Sequence, residues 1–234
     1  MKFNRKSLLY SFLILTIYLF ISYLTLNRAE IRNPNNLSLI NITTNPFAYY
    51  DLRTITYVYS VIFLLFINFT LNRSPLFIVR LKNRNSIIKI YFFKITGISF
   101  GFVLIHALIG IISTYILIGK ESIFLNNFFI LSIIYASVLF LYFLILALFL
   151  SIIEVFFSVN ISLILCVIGI LSCYFLNRFF WSPVLDTRIF GMSYVDLDGL
   201  NTIEIVLIYI RQIAVISILL IIQSIVIQRK DYYE

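Results

Sequence analysis

The stretch FFILSIIYASVLFLYFLILALFLSIIEVFFSVNISLILCVIGILSCYFL, residues 128–176, decides which class of fold this chain can adopt. It is almost wholly apolar, and the patch around Glu154 and Asn160 is its main polar interruption. Because a helix needs about 20 apolar residues to cross a bilayer, the stretch predicts two spans, at about 128–153 and 155–176, or else one long helix. Two helices place both ends of the chain on one side of the membrane, and one long helix places them on opposite sides.

The whole chain has the composition of an integral membrane protein. Of its 234 residues, 62% are hydrophobic and 12% are charged, against roughly 45–50% and 25% in soluble globular domains. Four further apolar stretches reach spanning length. Together they predict a single all-α, polytopic transmembrane domain, residues 1–234, with six helices at about 8–26, 54–71, 95–118, 128–153, 155–176 and 205–227.

The charged residues predict the orientation of these six spans. Eleven Lys and Arg residues lie on the side of the two chain ends, six lie on the other side, and Arg211 lies inside the last span. Seven of the ten acidic residues lie on the second side. By the positive-inside rule the N- and C-termini are therefore cytoplasmic, and membrane topology explains the net charge of +8 better than a nucleic-acid partner does.

The connections differ in character. Segments 27–53 and 177–204 are the long outer loops, and segment 73–94 is a basic cytoplasmic connection. Lys2, Arg5 and Lys6 precede the first span as in a signal peptide, but no small-residue cleavage site follows, so a retained helix is expected.

Candidate catalytic and metal-binding groups are sparse. GISFG, from Gly97 to Gly101, has the spelling of a serine nucleophile motif, yet it lies in a helical stretch rather than a strand-turn-helix. Ser99 and His106 are about 10 Å apart along that helix, so His106 can pair only with a serine of another helix, and close packing of small residues is the favoured interpretation. Cys166 and Cys173 are too far apart along a helix for a disulfide. With one histidine, two cysteines and no P-loop, we expect no enzyme activity, metal or cofactor in this chain.

A few polar residues lie inside the predicted spans. Arg211 is about 10 Å along the helix from Glu204. Such a residue is usually paired or functional, but an arginine at this depth can also extend to the outer interface, and the sequence leaves both roles open. The other polar groups are Asn68, His106, Gln212 and Gln223. Their default role is hydrogen bonding between helices, and Arg211, Gln212, His106 and Asn68 are the candidates for a translocation path.

The segment IVRLKNRNSIIKIYFFK, residues 78–94, carries five basic residues and no acid. With six spans, cytoplasmic ends, this basic segment before the third span and a long outer loop before the sixth, the layout resembles the permease subunits of type-2 ABC exporters. It looks most like the small permeases that accompany bacteriocin, lantibiotic or toxic-peptide systems. Arg80 and Arg84 match the two arginines of the family's pattern.

The resemblance implies a role and partners. Arg80, Lys82, Arg84 and Lys89 would dock on a separate ABC ATPase, which binds the ATP and Mg. The chain would be one permease of a pair, either two copies or two similar permeases, in the bacterial cytoplasmic membrane, contacting lipid and exporting or expelling a hydrophobic or amphipathic peptide. The alternative is a non-transporting membrane protein that binds a toxin or scaffolds a sensor, in which the basic segment only sets topology.

Overall fold

The computed structural model describes residues 5–28, 49, 52–71, 84–117, 128–176 and 202–229. Six helical segments and no strand occur within these ranges. They are α1 (Arg5–Leu26), α2 (the successive pieces Leu52–Thr54, Ile55–Tyr59 and Ser60–Thr70), α3 (Arg84–Leu117), α4 (Phe128–Phe156), α5 (Val159–Leu176) and α6 (Thr202–Arg229). The all-α prediction is confirmed for this part of the chain.

Three of these helices are long and apolar enough to cross a membrane. The qualifying ranges are Ile88–Leu117 in α3, Ser132–Phe156 in α4 and Ile205–Ile227 in α6. Shorter apolar ranges of 10–17 residues occur in α1, α2 and α5. At a rise of 1.5 Å per residue these reach about 25 Å, slightly less than the roughly 30 Å hydrocarbon core. The fold is thus that of a helical membrane protein, and six complete crossings stay a prediction.

The stretch 128–176 forms two helices. Phe157 and Ser158 are non-helical, and the N–H and hydroxyl of Ser162 both donate to the Ser158 carbonyl, at 2.9 and 3.0 Å, closing the first turn of α5. A Cβ placed on Gly169 would lie 3.4 Å from the Phe149 ring. These two residues lie equally far in sequence from the start of α5, so α4 and α5 pack as an antiparallel hairpin.

Contacts between α1, α2 and α3 show their relative directions. Phe12 lies against Gly101 and Tyr23 hydrogen-bonds Thr114, so α1 and α3 run parallel. Contacts of α2 with α3 run the other way. Tyr59 meets His106, whereas Phe63, further along α2, meets Phe102, which is earlier on α3. Helix α2 is therefore antiparallel to both.

Helices α4 and α6 run parallel to each other. Ser137 hydrogen-bonds Tyr209, and Gln223 hydrogen-bonds Ser151, so the contacts advance together along both helices.

The link between α3 and α4 fixes the direction of the second group. Phe102 and Phe143 are in contact, each 15 residues from the joined helix ends. Parallel packing would separate those ends by about 45 Å, whereas the 11 residue steps between them reach at most about 40 Å. We conclude that α1, α3 and α5 run one way and α2, α4 and α6 the other.

The starts of α1 and α3 and the end of α6 consequently lie together, and we call this the basic end. Its basic residues are Arg5, Lys6, Arg84, Lys89, Lys94 and Arg229. At the opposite end the described basic residues are Arg28 and Arg53.

Helix α3 begins at Arg84, eleven residues before the expected start of the third span. Residues 84–96 contain no glycine or proline, so nothing in this stretch interrupts a helix. Residues 84–94 of the predicted coupling segment therefore continue α3 without a break. The remainder, residues 73–83, lies outside the described residues.

The middle of the bundle is an aromatic core. Phe63, Phe102 and Phe143, one each from α2, α3 and α4, are all fully buried, and each ring contacts the other two with centroids 4.7 to 5.1 Å apart. Tilted and edge-on aromatic pairs contribute about 0.5–1.5 kcal/mol beyond area burial. This cluster holds α2, α3 and α4 together.

Small-residue packing of GISFG is seen at Gly101 and not at Gly97. A Cβ on Gly101 would lie 3.1 Å from the Phe12 ring, whereas nothing lies within 4 Å of one on Gly97. We expect Gly101→Leu to lower the stability of the detergent-solubilised protein by about 1–3 kcal/mol, because it forces α1 away from α3. The matched variant Gly97→Leu should leave thermal unfolding unchanged or slightly higher, since leucine favours helix. Equal unfolding temperatures for the two variants would contradict the close packing of α1.

Candidate functional site

His106 lies in a fully buried cluster of tyrosines where α1, α2 and α3 meet. Tyr49 stacks on the imidazole ring, with centroids 4.3 Å apart and planes 13° apart, and Tyr59 meets it edge-on at 4.8 Å. Tyr49 also contacts Tyr23 and Tyr59, at 5.2 and 5.4 Å. Each of these side chains is at most 1% exposed. We call Tyr23, Tyr49 and Tyr59 around His106 the tyrosine cluster.

Hydrogen bonds to α3 fix two members of the tyrosine cluster. The Tyr49 hydroxyl donates to the His106 backbone carbonyl at 3.0 Å. The Tyr23 hydroxyl lies 2.8 Å from Oγ1 of Thr114, which itself donates to the Gly110 carbonyl, so Tyr23 is the donor. Tyr49 thereby fastens the end of the predicted first outer loop into the bundle.

A π-helical turn in α2 places the third tyrosine. The turn covers Ile55–Tyr59, and both the backbone N–H and the hydroxyl of Ser60 donate to the Ile55 carbonyl. Such turns often occur at functional sites. Here the turn directs Tyr59 toward His106, while Ser60 accepts a 2.7 Å hydrogen bond from the Tyr142 hydroxyl on α4.

Among the described residues, the stacked and edge-on ring contacts of His106 are with tyrosines and not with a serine nucleophile. The rings against His106 are tyrosines, and Ser99 lies two turns away, about 10 Å along α3. Within the described ranges no three His, Cys, Asp or Glu side chains are grouped to hold a metal. Cys166 and Cys173 are both free thiols, as their spacing predicted.

A second polar region follows the contact between α4 and α6. The Gln223 amide donates to the Ser151 hydroxyl at 3.0 Å, and the Gln212 amide donates to the Val138 carbonyl at 3.5 Å. Tyr209 and Ser137 are joined by a further hydrogen bond. We call these contacts the α4–α6 seam.

Both glutamines of the α4–α6 seam keep an unused acceptor. Gln212 and Gln223 are each 1% exposed. Their amide Oε1 atoms have no hydrogen-bond donor among the residues that the structure describes. A buried polar group without a partner costs about 1–3 kcal/mol, so each of these oxygens weakens the packing of α4 against α6.

A partly open cavity of about 190 Å³ lies beside the α4–α6 seam, between α4, α5 and α6. Its lining is almost wholly apolar, and of the lining residues only Tyr142 and Cys173 carry a polar group, a hydroxyl and a thiol. The apolar lining residues are Ile145, Leu146, Phe149, Gly169, Ile170, Val215 and Leu219. A cavity of this chemistry accepts hydrocarbon groups and rejects charge.

No known protein family, characterised protein or solved structure matches this chain. Its function must therefore be inferred from its residues and their arrangement.

The predicted coupling residues are described only in part. Arg80 and Lys82 lie outside the described residues. Arg84 is the first residue of α3, and Lys89 is exposed on the same helix. Both belong to the basic end.

The four predicted path residues fall in three places. His106 belongs to the tyrosine cluster and Gln212 to the α4–α6 seam. Arg211 is half-buried next to Gln212 on α6. Asn68 is half-buried on α2, nine residues and about 13 Å beyond Tyr59. One chain therefore does not gather these side chains into a single continuous path.

Sequence reasoning missed most of the partners in these regions. Tyr49, Tyr23 and Ser151 carry no motif, and their roles arise from contacts across 57, 91 and 72 residues of sequence. The only signal was the presence of polar residues within apolar stretches. It indicated His106 and Gln223 but not the residues that they contact.

Tyr49 is expected to be the most sensitive position of the tyrosine cluster. Tyr49→Phe keeps the ring stack and loses one hydrogen bond, for a cost of about 1 kcal/mol. Tyr49→Ala removes a fully buried ring and should cost about 3–5 kcal/mol. Thermal unfolding in detergent measures both, with Tyr10→Ala as the control because Tyr10 is 62% exposed. Unfolding of Tyr49→Ala at the wild-type temperature would contradict this packing.

Proposed function

We propose that this protein is the membrane-spanning permease subunit of an ABC transporter that exports or expels a hydrophobic or amphipathic peptide, for secretion or immunity. The main support is α3, a continuous helix of 34 residues that begins at Arg84 directly after the basic residues Arg80 and Lys82. At about 51 Å it exceeds the roughly 30 Å hydrocarbon core. Its first turns can therefore extend beyond the hydrocarbon at the basic end, where a partner can press on them.

The proposal includes six crossings with both chain ends in the cytoplasm. Alternating helix directions support it, because they bring the start of α1 and the end of α6 to one end of the bundle. The excess of basic residues at that end supports its assignment to the cytoplasm.

Cysteine labelling from outside the cell tests this topology. We expect externally added, membrane-impermeant maleimide to label Asn41→Cys and Tyr194→Cys, which lie in the predicted outer loops, but not Asn83→Cys. Labelling after permeabilisation serves as the control for reactivity. Strong external labelling at residue 83 would overturn the orientation.

The proposed transporter needs further subunits. The candidate path residues are dispersed in one chain, so the peptide pathway would lie between this permease and a second copy or a similar permease. ATP and Mg would bind to the ATPase subunits, and we propose no cofactor in this chain. The apolar surfaces of α1, α5 and α6 suit lipid and a second permease in a bacterial cytoplasmic membrane.

Co-expression with an ABC ATPase encoded beside this gene tests the function. We expect a stable complex in lipid nanodiscs, with ATP hydrolysis that rises when an amphipathic peptide is added. A protein that binds such peptides but forms no complex with the ATPase would instead be a non-transporting toxin-binding or sensor-scaffolding protein.

A further inference from the structure

We propose that two copies of this chain pair in the membrane through the exposed face of α1, with Tyr18 of each copy at the centre of the contact. This inference rests on the proposed function, because it takes α1 as one of the six crossings and identifies the second permease as another copy of this chain. The observation that carries it is the position of one hydroxyl group along the apolar length of the helix.

Tyr18 lies at the middle of the apolar part of α1. That part runs from Tyr10 to Leu26, so Tyr18 is eight residues, about 12 Å, from either end. Its side chain is 42% exposed, and it makes no hydrogen bond or ring contact with another described residue. A tyrosine side chain is too short to bring its hydroxyl from this depth to the membrane surface. In a single copy the group therefore faces hydrocarbon.

Lipid does not satisfy the Tyr18 hydroxyl. Acyl chains at the bilayer centre have neither a hydrogen-bond donor nor an acceptor, and an unsatisfied polar group in hydrocarbon is strongly disfavoured. The exposed threonines of α1 avoid this cost, because Thr16 and Thr25 each donate to a backbone carbonyl of their own helix, at 2.8 and 2.9 Å. A tyrosine hydroxyl stands too far from its own helix to do the same, so its partner must come from another helix.

A second copy offers the matching group at the matching depth. Two-fold symmetry about an axis normal to the membrane keeps both chains in the same orientation, and residues near the axis meet their own counterparts. A tyrosine hydroxyl is both a donor and an acceptor, so one Tyr18 hydroxyl can donate to the other. A partner of another sequence would satisfy Tyr18 only if it carried a polar group at this depth.

The residues around Tyr18 form a stripe suited to helix pairing. Ile14, Tyr18, Ile21 and Thr25 are exposed and follow one another at spacings of four, three and four residues. We call these four residues the α1 stripe. Their spacing is the one by which parallel helices interlock along a single seam, at the crossing angle of about 20° that is common in membrane bundles. The stripe contains no charged residue, so identical side chains meet across the axis without repulsion.

Disulfide crosslinking in membranes tests the contact without requiring transport. In a variant without the two native cysteines, we expect an oxidant to join Ile14→Cys or Ile21→Cys to its own counterpart, giving a dimer on a denaturing gel. Phe20→Cys is the control, because Phe20 is 46% exposed at nearly the same depth. It lies about 160° around the helix from Tyr18, so its dimer yield should be at least about fivefold lower. Equal yields for all three variants, or no dimer from either position of the α1 stripe, would overturn the proposal.

Removing the hydroxyl separates pairing from simple exposure to lipid. Energy transfer between labelled copies in liposomes, at increasing lipid-to-protein ratio, measures the dissociation constant of the dimer. Tyr18→Phe keeps the ring and should raise this constant about threefold to tenfold, because one interhelical hydrogen bond is lost. Tyr10→Phe should leave it unchanged, since Tyr10 lies at the end of the apolar part, where water reaches its hydroxyl. A Tyr18→Phe protein that associates as tightly as the wild type would overturn the proposal.

The outcomes for the contact and for the transporter are separable. Crosslinked dimers together with a failure to bind any ATPase would retain the α1 contact and overturn the proposed export function. An active complex with the ATPase that holds one copy of this chain and a different permease would retain the exporter and overturn the contact.

Discussion

Replacing Arg80 and Arg84 together by alanine is expected to leave membrane insertion intact and to uncouple the permease from its ATPase. An arginine can hold a partner carboxylate through two parallel hydrogen bonds, which fixes orientation as well as proximity. Loss of two charge-assisted contacts, each worth about 1.5–3 kcal/mol, should weaken the complex at least about 100-fold. ATPase pull-down from nanodiscs and peptide export in cells measure this effect.

The continuity of α3 gives a mechanical reason to expect this uncoupling. Arg84 is the first residue of α3, and the same unbroken helix carries Phe102 in the aromatic core and His106 in the tyrosine cluster. A push at its start therefore moves residues about 27–33 Å further along as one rigid body. A flexible connection would absorb that push.

Two controls accompany the double arginine variant. Lys82→Ala should matter less, because an ammonium is a point charge without the planar donor fork. External labelling of a cysteine at residue 83 should stay as in the otherwise wild-type protein, which excludes an inverted orientation in the membrane. If the double variant retains ATPase pull-down and peptide export, the arginines serve only topology and anionic lipid, worth about 1 kcal/mol each.

Hydropathy predicted the helices well because bilayer thickness sets their length. The expected spans at 128–153 and 205–227 compare with helices at Phe128–Phe156 and Thr202–Arg229. The start of α3 differs by eleven residues, because Arg84, Lys89 and Lys94 set these turns apart from the uncharged apolar stretch that follows them. The exact position of the break after α4 could not be predicted from the sequence, because neither Phe157 nor Ser158 is a glycine or a proline.

The candidate sites were less predictable than the helices. A π-helical turn at Ile55–Tyr59 has no sequence signature, yet it directs Tyr59 and Ser60 toward different helices. The cavity depends on how side chains of three helices fit together, and only its glycine, Gly169, stands out in sequence. Polar residues within spans were sufficient to suggest Gln212, but its partner Val138 contributes a backbone carbonyl, which every residue possesses.

Arg211 is expected to be essential for peptide export. The Arg211 side chain is half-buried. By contrast, Ile210, which precedes it, and Ile213, two residues after it, are 56% and 53% exposed. The arginine side chain thus packs partly against protein, which favours a paired or path-lining role over simple extension toward the outer interface.

Three variants at matched expression test this role through peptide export and resistance in cells. Arg211→Leu should lower export at least about tenfold, because it removes a charge that the surrounding helices have accommodated. Arg211→Lys should be intermediate, since lysine keeps the charge but not the planar donor fork. The lipid-facing control Ile213→Leu should behave as the wild type. Near-normal export by both arginine variants would show that Arg211 only extends its guanidinium to the membrane surface, because either substitution is tolerated where no partner depends on the group.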